Sequence, residues 1–451
     1  MPPSSATPPN QGEPSIGRTP GEVAHDPVVR DRGDACPGAL RLHPAGDGNL
    51  ARLRLPGGIL TTRQVDALAT AAERYADGHL TLTSRGNAEL RGIEDTHANA
   101  LAELLRHTAL MPSETHERVR NIVASPLAGL DGRGNGTLLP RLRALDALLC
   151  GRAWTTALSG RFLFALDDGR GDVASLGADV TLLAQDRGTG RQDTVVVRVG
   201  ASALRVAAAD APRAALEAAR AFLDAAAAAG NGAWRVRELP AGHDVDLASA
   251  LARAGIPATP APEPDTGGTT PAPAPAPGIV AAPDGTYAVV VTPVLGRVTS
   301  AGLRALSGPG GEVRITPWRG FVVPGFDERG ARERLRELDD AGFSTRPDAP
   351  WAGVGACTGR PGCAKALADV RRDALPGTGG LPVHWSGCER RCGHPHGDWV
   401  DVTATADGHY TVTVRGTQEH QVPLETGELP KAVARARGGR PGAYGTGTTT
   451  R

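Results

Sequence analysis

The sequence predicts an α+β fold with two pseudo-symmetric halves, each built from a small strand-helix-strand module and a larger α/β domain. Three observations support this prediction. A Pro/Ala-rich stretch at residues 255–278 divides the 451-residue chain. Similar strand-turn-helix-strand patterns occur at residues 50–93 and 288–325. Each pattern is followed by a longer stretch in which short apolar runs alternate with helical periodicity. The alternative of two unrelated α/β segments stays open, because strand-turn-helix-strand units are common.

The first half opens with residues 1–35, which are rich in Pro, Gly, Ser and charge and are expected to be disordered. A first module is predicted at residues 36–112. Its helix is expected to begin at Thr61 or Thr62, because threonine caps helix N-termini, and a strand is expected at residues 79–83.

A larger α/β domain is predicted at residues 113–254. A helical stretch is expected at about residues 138–150, and apolar runs predict strands within residues 161–169 and 195–200. An Ala-rich helix within residues 203–230, beginning near Asp210, closes this domain.

The second half repeats this order after the linker at residues 255–278, whose Pro-Ala alternation predicts an extended spacer. A second module is predicted at residues 279–345, with its helix capped by Thr299 or Ser300. A second α/β domain is predicted at residues 346–433, followed by a disordered tail at residues 434–451.

Composition limits the kinds of partner. The formal net charge is +0 and the pI is near 7.2, so no global charge attracts nucleic acid or a membrane surface. The sequence has no apolar run of membrane-spanning length and no secretory signal, which predicts a cytoplasmic protein whose thiols stay reduced. Lys365 and Lys431 are the only lysines.

Four of the six cysteines form two pairs, C-x5-C at Cys357 and Cys363 and C-x3-C at Cys388 and Cys392. Four thiolates suit a [4Fe–4S] cluster or a structural zinc ion. The spacings and the surrounding glycines favour the cluster, while zinc and unrelated cysteines stay open. The first pair is expected to lead directly into a helix at residues 364–374.

The remaining two cysteines, Cys36 and Cys150, lie outside both pairs. Cys150 is interpreted as a buried helix residue, and Cys36 as an exposed loop thiol.

This cysteine pattern, at the end of the second of two duplicated halves, resembles the nitrite/sulfite reductase superfamily. The resemblance implies ferredoxin-like half-modules, nitrite/sulfite reductase-type α/β domains and a [4Fe–4S] cluster on the four cysteines. In sirohaem-bearing members, Cys392 would also bridge to the sirohaem iron. The stretches TSRGNAELRG (residues 83–92) and RNIVASP (residues 120–126) place Arg85 and Arg120 at arginines that face the tetrapyrrole.

This sequence departs from the sirohaem reductases at the pair of lysines that, in those enzymes, bind the anionic substrate. Arg161 and Leu163 stand at those positions, and no lysine precedes Lys365. The sequence therefore resembles more closely the precorrin-3B synthase branch of the superfamily. That branch implies precorrin-3A and O2 as substrates, with C20 hydroxylation and γ-lactone formation. It also implies an unidentified electron donor, either an NADH-linked reductase or a ferredoxin.

The predicted tetrapyrrole-binding residues lie in or beside these motifs, and solvated strand ends are the alternative for their arginines. They are Arg85, Asn87, Arg91, Arg120, Asn121, Arg161 and Arg319. Arginine suits this role because its planar fork binds carboxylates bidentately. Arg319 lies in the second copy of the Arg85 loop, where Trp318 competes for the matching position. No catalytic residue is predicted.

The resemblance also suggests a mononuclear non-haem iron, with His394 and His396 as candidate ligands, but a polar loop covering the cluster is favoured. Two other functions stay open. One is a sirohaem-dependent nitrite or sulfite reductase, and the other is a zinc-stabilised binding module without enzyme activity.

Overall fold

The structure, a computed structural model, describes residues 34, 36–134, 138–185, 193–261, 273–377, 379–395, 397–417, 419–422 and 428–438. The predicted disordered segment 1–35 (apart from Asp34), the middle of the linker, His396 and the end of the tail lie outside these residues. Helices in the described residues are α1 (Thr62–Tyr75), α2 (Ala98–His107), α3 (Leu138–Cys150), α4 (Ala211–Ala229), α5 (Leu247–Arg253), α6 (Ser300–Ala305), α7 (Glu328–Asp340), α8 (Val370–Asp373) and α9 (Leu429–Ala436).

The strands of the described residues form four sheets. They are β1 (His43–Ala45), β2 (Gly48–Leu53), β3 (Ile59–Thr61), β4 (His79–Leu82), β5 (Ala88–Ile93), β6 (Ile122–Ala124), β7 (Phe164–Asp167), β8 (Val180–Ala184), β9 (Thr194–Val199), β10 (Ser202–Ala207), β11 (Ala258–Pro260), β12 (Gly278–Ala281), β13 (Tyr287–Val291), β14 (Arg297–Thr299), β15 (Glu312–Ile315), β16 (Phe321–Phe326), β17 (Val354–Ala356), β18 (Val383–Ser386), β19 (Trp399–Ala406), β20 (His409–Arg415) and β21 (His420–Val422).

The two small modules exchange a strand. The first sheet has the order β1-β2-β5-β4-β14, and the second has the order β12-β13-β16-β15-β3. Strand β14 of the second half therefore pairs with β4, and β3 of the first half pairs with β15, both antiparallel. Buried apolar side chains from both modules, among them Leu68, Leu90, Val313 and Phe321, form one common core. The modules thus fold as a single unit.

The two larger domains repeat the same sheet pattern. In the first, β6, β7 and β8 are parallel, whereas β9 and β10 continue antiparallel. In the second, β17, β18 and β19 are parallel, whereas β20 and β21 continue antiparallel. Together with the strand exchange between the two small modules, this repetition confirms the predicted α+β fold with two pseudo-symmetric halves.

Several local predictions are confirmed. Thr61 caps α1 by accepting a hydrogen bond from Gln64 N, and Thr299 caps α6 by accepting one from Gly302 N. Helix α3 has the predicted bounds. The Ala-rich helix begins at Ala211, because the chain before it forms β10 rather than helix.

One local prediction is wrong. The helix expected at residues 364–374 is reduced to the single turn of α8. The preceding residues instead wrap around the cysteines, with Ala366 N donating to Cys363 O and Leu367 N to Gly387 O. No helix in the described part of the chain combines the length and the apolar character needed to cross a bilayer.

Candidate functional site

The four predicted cluster cysteines lie on two loops at one edge of a sheet. Cys357 directly follows β17, and Cys388 comes two residues after the parallel neighbour β18. The carboxyl ends of adjacent parallel strands meet at one sheet edge, which brings the two loops together. The loops are joined by the hydrogen bond from Leu367 N to Gly387 O, at 2.7 Å.

Three of these cysteines are partly buried, and Cys392 is exposed. Burial raises the pKa of Cys357 and of Cys392, and the other cysteines of the quartet raise it further. In the opposite direction, Gly387 N donates to Cys357 Sγ at 3.2 Å, a contact that favours a thiolate. A bound metal centre removes the repulsion between thiolates, because it deprotonates and holds its sulfur ligands.

The thiols are spread rather than converging on one point. All four lie in the described part of the chain, and no three of their Sγ atoms come within 4.8 Å of one another. A tetrahedral zinc ion with Zn–S bonds of about 2.3 Å would need sulfur atoms roughly 3.8 Å apart. The sulfur atoms are therefore farther apart in this structure than one tetrahedral zinc ion would hold them.

The first half repeats this loop geometry without thiols. Ser125 follows β6 as Cys357 follows β17, and Asp168 N donates to Ser125 Oγ at 3.2 Å. The loop that corresponds to the C-x3-C turn is closed by Asp167, whose carboxylate accepts four backbone N–H groups of residues 169–174. Carboxylate hydrogen bonds hold this loop where the second half carries cysteines.

Asp167, Asp168 and Asp172 are the one group of three histidine, cysteine or acidic residues in the described residues whose ligand atoms approach one another closely. Their oxygens already accept hydrogen bonds from the backbone, Ser125 and Arg170. These bonds account for the burial of the three carboxylates.

A group of arginines lies beside the strand ends of the first module. Arg85 stands in the turn between β4 and β5, and its Nη1 donates to Arg161 O at 3.3 Å. The Arg161 guanidinium stacks over the Trp234 ring, 4.9 Å from its centre. Burial, together with the neighbouring Arg235 and Arg54, lowers the pKa of Arg85 to about 10. The structure thus brings Arg85 and Arg161 together.

Arg54 belongs to this group although the sequence did not single it out. It is 3% exposed, and its Nη2 donates to Gly160 O, while Nε and Nη1 have no hydrogen-bond partner among the described residues. Burial and the adjacent charge of Arg52 lower its pKa to about 10. A signal was present, because Arg52 and Arg54 alternate along the chain with the apolar Ala51 and Leu53, which places both arginines on one strand face.

Arg52 is paired with Glu89 on the neighbouring strand, and its Nε donates at 2.7 Å. Burial opposes ionisation of Glu89, but the guanidinium groups of Arg52 and Arg91 hold the pKa of its carboxyl below the usual value. This pair carries no net charge, so the excess positive charge of the group comes from Arg54, Arg85 and Arg161.

Arg91 and Arg120 face protein partners instead. Arg91 donates two hydrogen bonds to Asp47 and a third, at 2.6 Å, to Gly362 O beside Cys363. Arg120 forms a bidentate ion pair with Asp146, and both hydrogen bonds are 2.7 Å long. Arg91 therefore joins the first module to the cysteine loop, and Arg120 anchors α3.

Asn87 and Asn121 form a buried pair. Asn87 Nδ2 donates to Asn121 Oδ1 at 2.9 Å, and Asn87 Oδ1 accepts from Leu55 N. Asn121 Nδ2 donates to Phe162 O at 3.0 Å. The two amides hold the Arg85 turn against the segment that carries Arg161.

Arg319 lies against the cysteine loops, with its Nη2 donating to Gly393 O. In the turn between β15 and β16, Thr316 and Gly320 make the backbone bonds that Thr83 and Asn87 make in the turn between β4 and β5. Arg85 therefore corresponds to Trp318, and Arg319 corresponds to Gly86. Of the two candidates for the position that matches Arg85, the structure selects Trp318, and Arg319, with a left-handed backbone (φ 57°), takes the place of a glycine.

Two histidines line the cysteine loops. His384 on β18 is buried, and its Nε2 lies 3.1 Å from Cys392 O. Burial and Arg319 lower the pKa of His384 well below its usual range, so the ring is neutral. His394 stacks on Trp399 with ring centres 5.1 Å apart. His396, the other predicted candidate ligand, lies outside the described residues.

Residues 42–107 match the nitrite/sulfite reductase ferredoxin-like half domain. The fold is similar to that of the NirA protein of Mycobacterium tuberculosis, with a TM-score of 0.66 over 84% of this chain and 78% of that one, at 18% identity. The chain is thus similar to nitrite/sulfite reductase-like proteins in one ferredoxin-like half domain and in its fold.

A precorrin-3B synthase from Sinorhizobium sp is 27% identical over 431 residues, covering 92% of this chain and 89% of that protein. A ferredoxin–nitrite reductase from Synechococcus elongatus is 34% identical over 141 residues, covering 30% of this chain and 27% of that protein. Another, from Leptolyngbya laminosa, is 37% identical over 91 residues, or 20% and 18% of the two chains. These relatives are enzymes, and of these three the synthase is the one whose similarity covers most of this chain.

Proposed function

We propose that this protein is a precorrin-3B synthase, which converts precorrin-3A to precorrin-3B with O2 by hydroxylation at C20 and γ-lactone formation. The observation that carries this proposal is the similarity to a precorrin-3B synthase along both halves of the chain. Similarity to the nitrite reductases of Synechococcus and Leptolyngbya is confined to a part of each chain.

The cofactor we propose is a [4Fe–4S] cluster held by Cys357, Cys363, Cys388 and Cys392. The partial burial of Cys357, Cys363 and Cys388, the spacing of the sulfur atoms and the N–H bond from Gly387 to Cys357 Sγ support this assignment. When bound, such a cluster supplies one-electron transfer. Electrons would come from a separate donor, either an NADH-linked reductase or a ferredoxin.

The proposed substrate site is the arginine group at the strand ends of the first module. Precorrins carry acetate and propionate groups, and guanidinium forks bind carboxylates through strong charge-assisted hydrogen bonds. Arg54 offers two donors that have no partner in the described part of the chain, and beside it Arg85 is partly exposed and Arg161 is exposed. A chain without net charge can thus bind a polyanion through local charge.

Sirohaem-dependent reduction of nitrite or sulfite is less well supported. The second of the two lysine positions of the reductases is occupied by Leu163, which is 2% exposed and packs with Val123, Val173 and Trp318. This position presents no cation to an anionic substrate, although charge is needed to stabilise one.

The proposal is tested by anaerobic reconstitution with iron and sulfide, followed by incubation with precorrin-3A, O2 and a reducing system. The wild-type protein and Cys150→Ser are expected to hold four irons and form product, because Cys150 lies on α3. Cys388→Ser is expected to lose both iron and product. Stoichiometric sirohaem in the purified protein, or one zinc ion without labile sulfide, would overturn the proposal.

A further inference from the structure

Arg319 occupies a backbone position that suits glycine. Its φ is 57°, in the left-handed region, and the corresponding residue in the first half is Gly86, with a φ of 65°. A side chain with a β-carbon is strained in this region, and such strain persists only where the surrounding structure enforces it. The second half therefore keeps an arginine at a position where the first half has none.

The route of the Arg319 side chain explains what enforces the strain. It runs over Gly296, where an added β-carbon would lie 2.5 Å from Arg319 Cδ. Its guanidinium ends between the two cysteine loops, with Nη2 donating to Gly393 O at 2.5 Å. An added β-carbon on Gly355 would lie 3.2 Å from Nη1. Gly393 adjoins Cys392, and Gly355 is two residues from Cys357.

The charge of Arg319 is only partly compensated, because Glu89, the carboxylate that acts on it, is already paired with Arg52. Among the described residues, no carboxylate lies within ion-pair distance of it. Of the other guanidiniums that contact these loops, Arg91 and Arg391 pair with Asp47 and Asp401, whereas Arg371 donates to Cys357 O at 3.2 Å. Burial lowers the pKa of Arg319 to about 10, which leaves it protonated at neutral pH.

We infer that Arg319 is a positioning residue for electron transfer whose partly buried positive charge raises the reduction potential of a [4Fe–4S] cluster on the cysteine quartet. The inference rests on the cluster of the proposed function. Reduction adds one negative charge to the cluster, and a nearby cation stabilises that charge, most strongly where the surroundings exclude water. Arg319 would thereby make the cluster easier to reduce.

The test is a redox titration of the reconstituted protein, followed by electron paramagnetic resonance of the reduced cluster. Arg319→Met and Arg319→Lys both keep a β-carbon at the strained position and differ in charge. We expect Arg319→Met to shift the midpoint potential to more negative values, and Arg319→Lys to stay close to wild type. Arg329→Met is the matched control, because Arg329 lies exposed on α7 of the same half.

Arg319→Gly supplies a second neutral variant that suits the left-handed backbone, so a folding defect of Arg319→Met would not decide the result. It is expected to show the same negative shift. An unchanged potential in both neutral variants, or an equal shift in Arg319→Lys, overturns the inference while leaving the cluster in place. Failure of the wild-type protein to bind iron and sulfide overturns both the inference and the proposed function.

Discussion

Ser125 and Cys357 occupy equivalent positions in the two halves of the molecule. Each residue directly follows the first parallel strand of its sheet, and its own N–H donates to the carbonyl of the neighbouring strand, Leu166 O or Trp385 O. Each side chain accepts a hydrogen bond at 3.2 Å from the next loop, from Asp168 N or from Gly387 N. The duplication therefore extends to the loops, and only the second copy carries thiols.

We expect the hydrogen bonds of the Ser125 hydroxyl to stabilise the folded protein. Ser125 Oγ donates to Asp172 at 2.6 Å and accepts from Asp168 N, and all three groups are buried. Ser125→Ala leaves the N–H and the carboxyl oxygen without that partner, which should lower the free energy of unfolding by about 1–3 kcal/mol. Chemical denaturation measures the change. Ser202→Ala, in a partly exposed residue at the start of β10, is the control, and equal stability of the two variants would contradict the account.

Asp172 predicts a dependence of stability on pH. Burial raises its pKa to about 6, above the value of 3.8 for an unperturbed aspartate. Between pH 3.8 and about 6 the folded state binds more protons than the unfolded state, so this group lowers the stability as the pH rises through that window. Asp172→Asn should therefore be more stable than wild type at pH 7, by up to about 3 kcal/mol.

This advantage of Asp172→Asn should shrink as the pH is lowered towards 4. Denaturation curves at several pH values, compared with the exposed-site variant Asp348→Asn, measure it. A difference from wild type that does not change with pH would show that the Asp172 carboxyl does not titrate in this window.

Arg54 and Arg120 are expected to give opposite results. Arg54→Met removes a buried charge with two unpaired donors, so stability should change little, while affinity for a carboxylated tetrapyrrole should fall by about tenfold or more. Arg120→Met breaks the ion pair with Asp146 and should cost roughly 2 kcal/mol of stability without changing the affinity of the folded protein. Absorbance titration measures the affinity, and chemical denaturation measures the stability. A loss of affinity in Arg120→Met but not in Arg54→Met would show that Arg120, rather than Arg54, binds the tetrapyrrole.

The exchanged strands β3 and β14 predict that the halves stay together when the chain is cut. A protease site inserted within residues 262–272 allows cleavage between them. Because each exchanged strand pairs with the other half and the modules share one core, the two fragments should co-elute in size-exclusion chromatography. An uncleaved sample is the control, and separation of the fragments without denaturant would contradict the shared core.

Local rules were enough to predict much of the fold. The caps at Thr61 and Thr299 depend on a few neighbouring residues, and α3 follows from its apolar periodicity. The helix expected after Cys363 forms only as the single turn of α8. The residues before that turn make hydrogen bonds with the cysteine loops rather than with one another.

The arginines show what the sequence could not decide. Arg91 and Arg120 have the same chemistry as Arg85, but their partners Asp47 and Asp146 lie 44 and 26 residues away, and only the folded chain brings them together. The alignment of Arg319 with Gly86, rather than with Arg85, depends on a left-handed backbone at Arg319 that residue preferences disfavour. The burial of Arg54 likewise depends on contacts with a segment more than a hundred residues away.

The most direct test of the central claim is the mass of the product formed from precorrin-3A by the reconstituted protein under oxygen-18 gas. The proposed function predicts a hydroxylated lactone that carries one oxygen-18 atom. It should be heavier than the product formed under ordinary oxygen by the mass difference between oxygen-18 and oxygen-16. Unchanged precorrin-3A, from a protein shown to hold a complete cluster and supplied with a working electron donor, would contradict it.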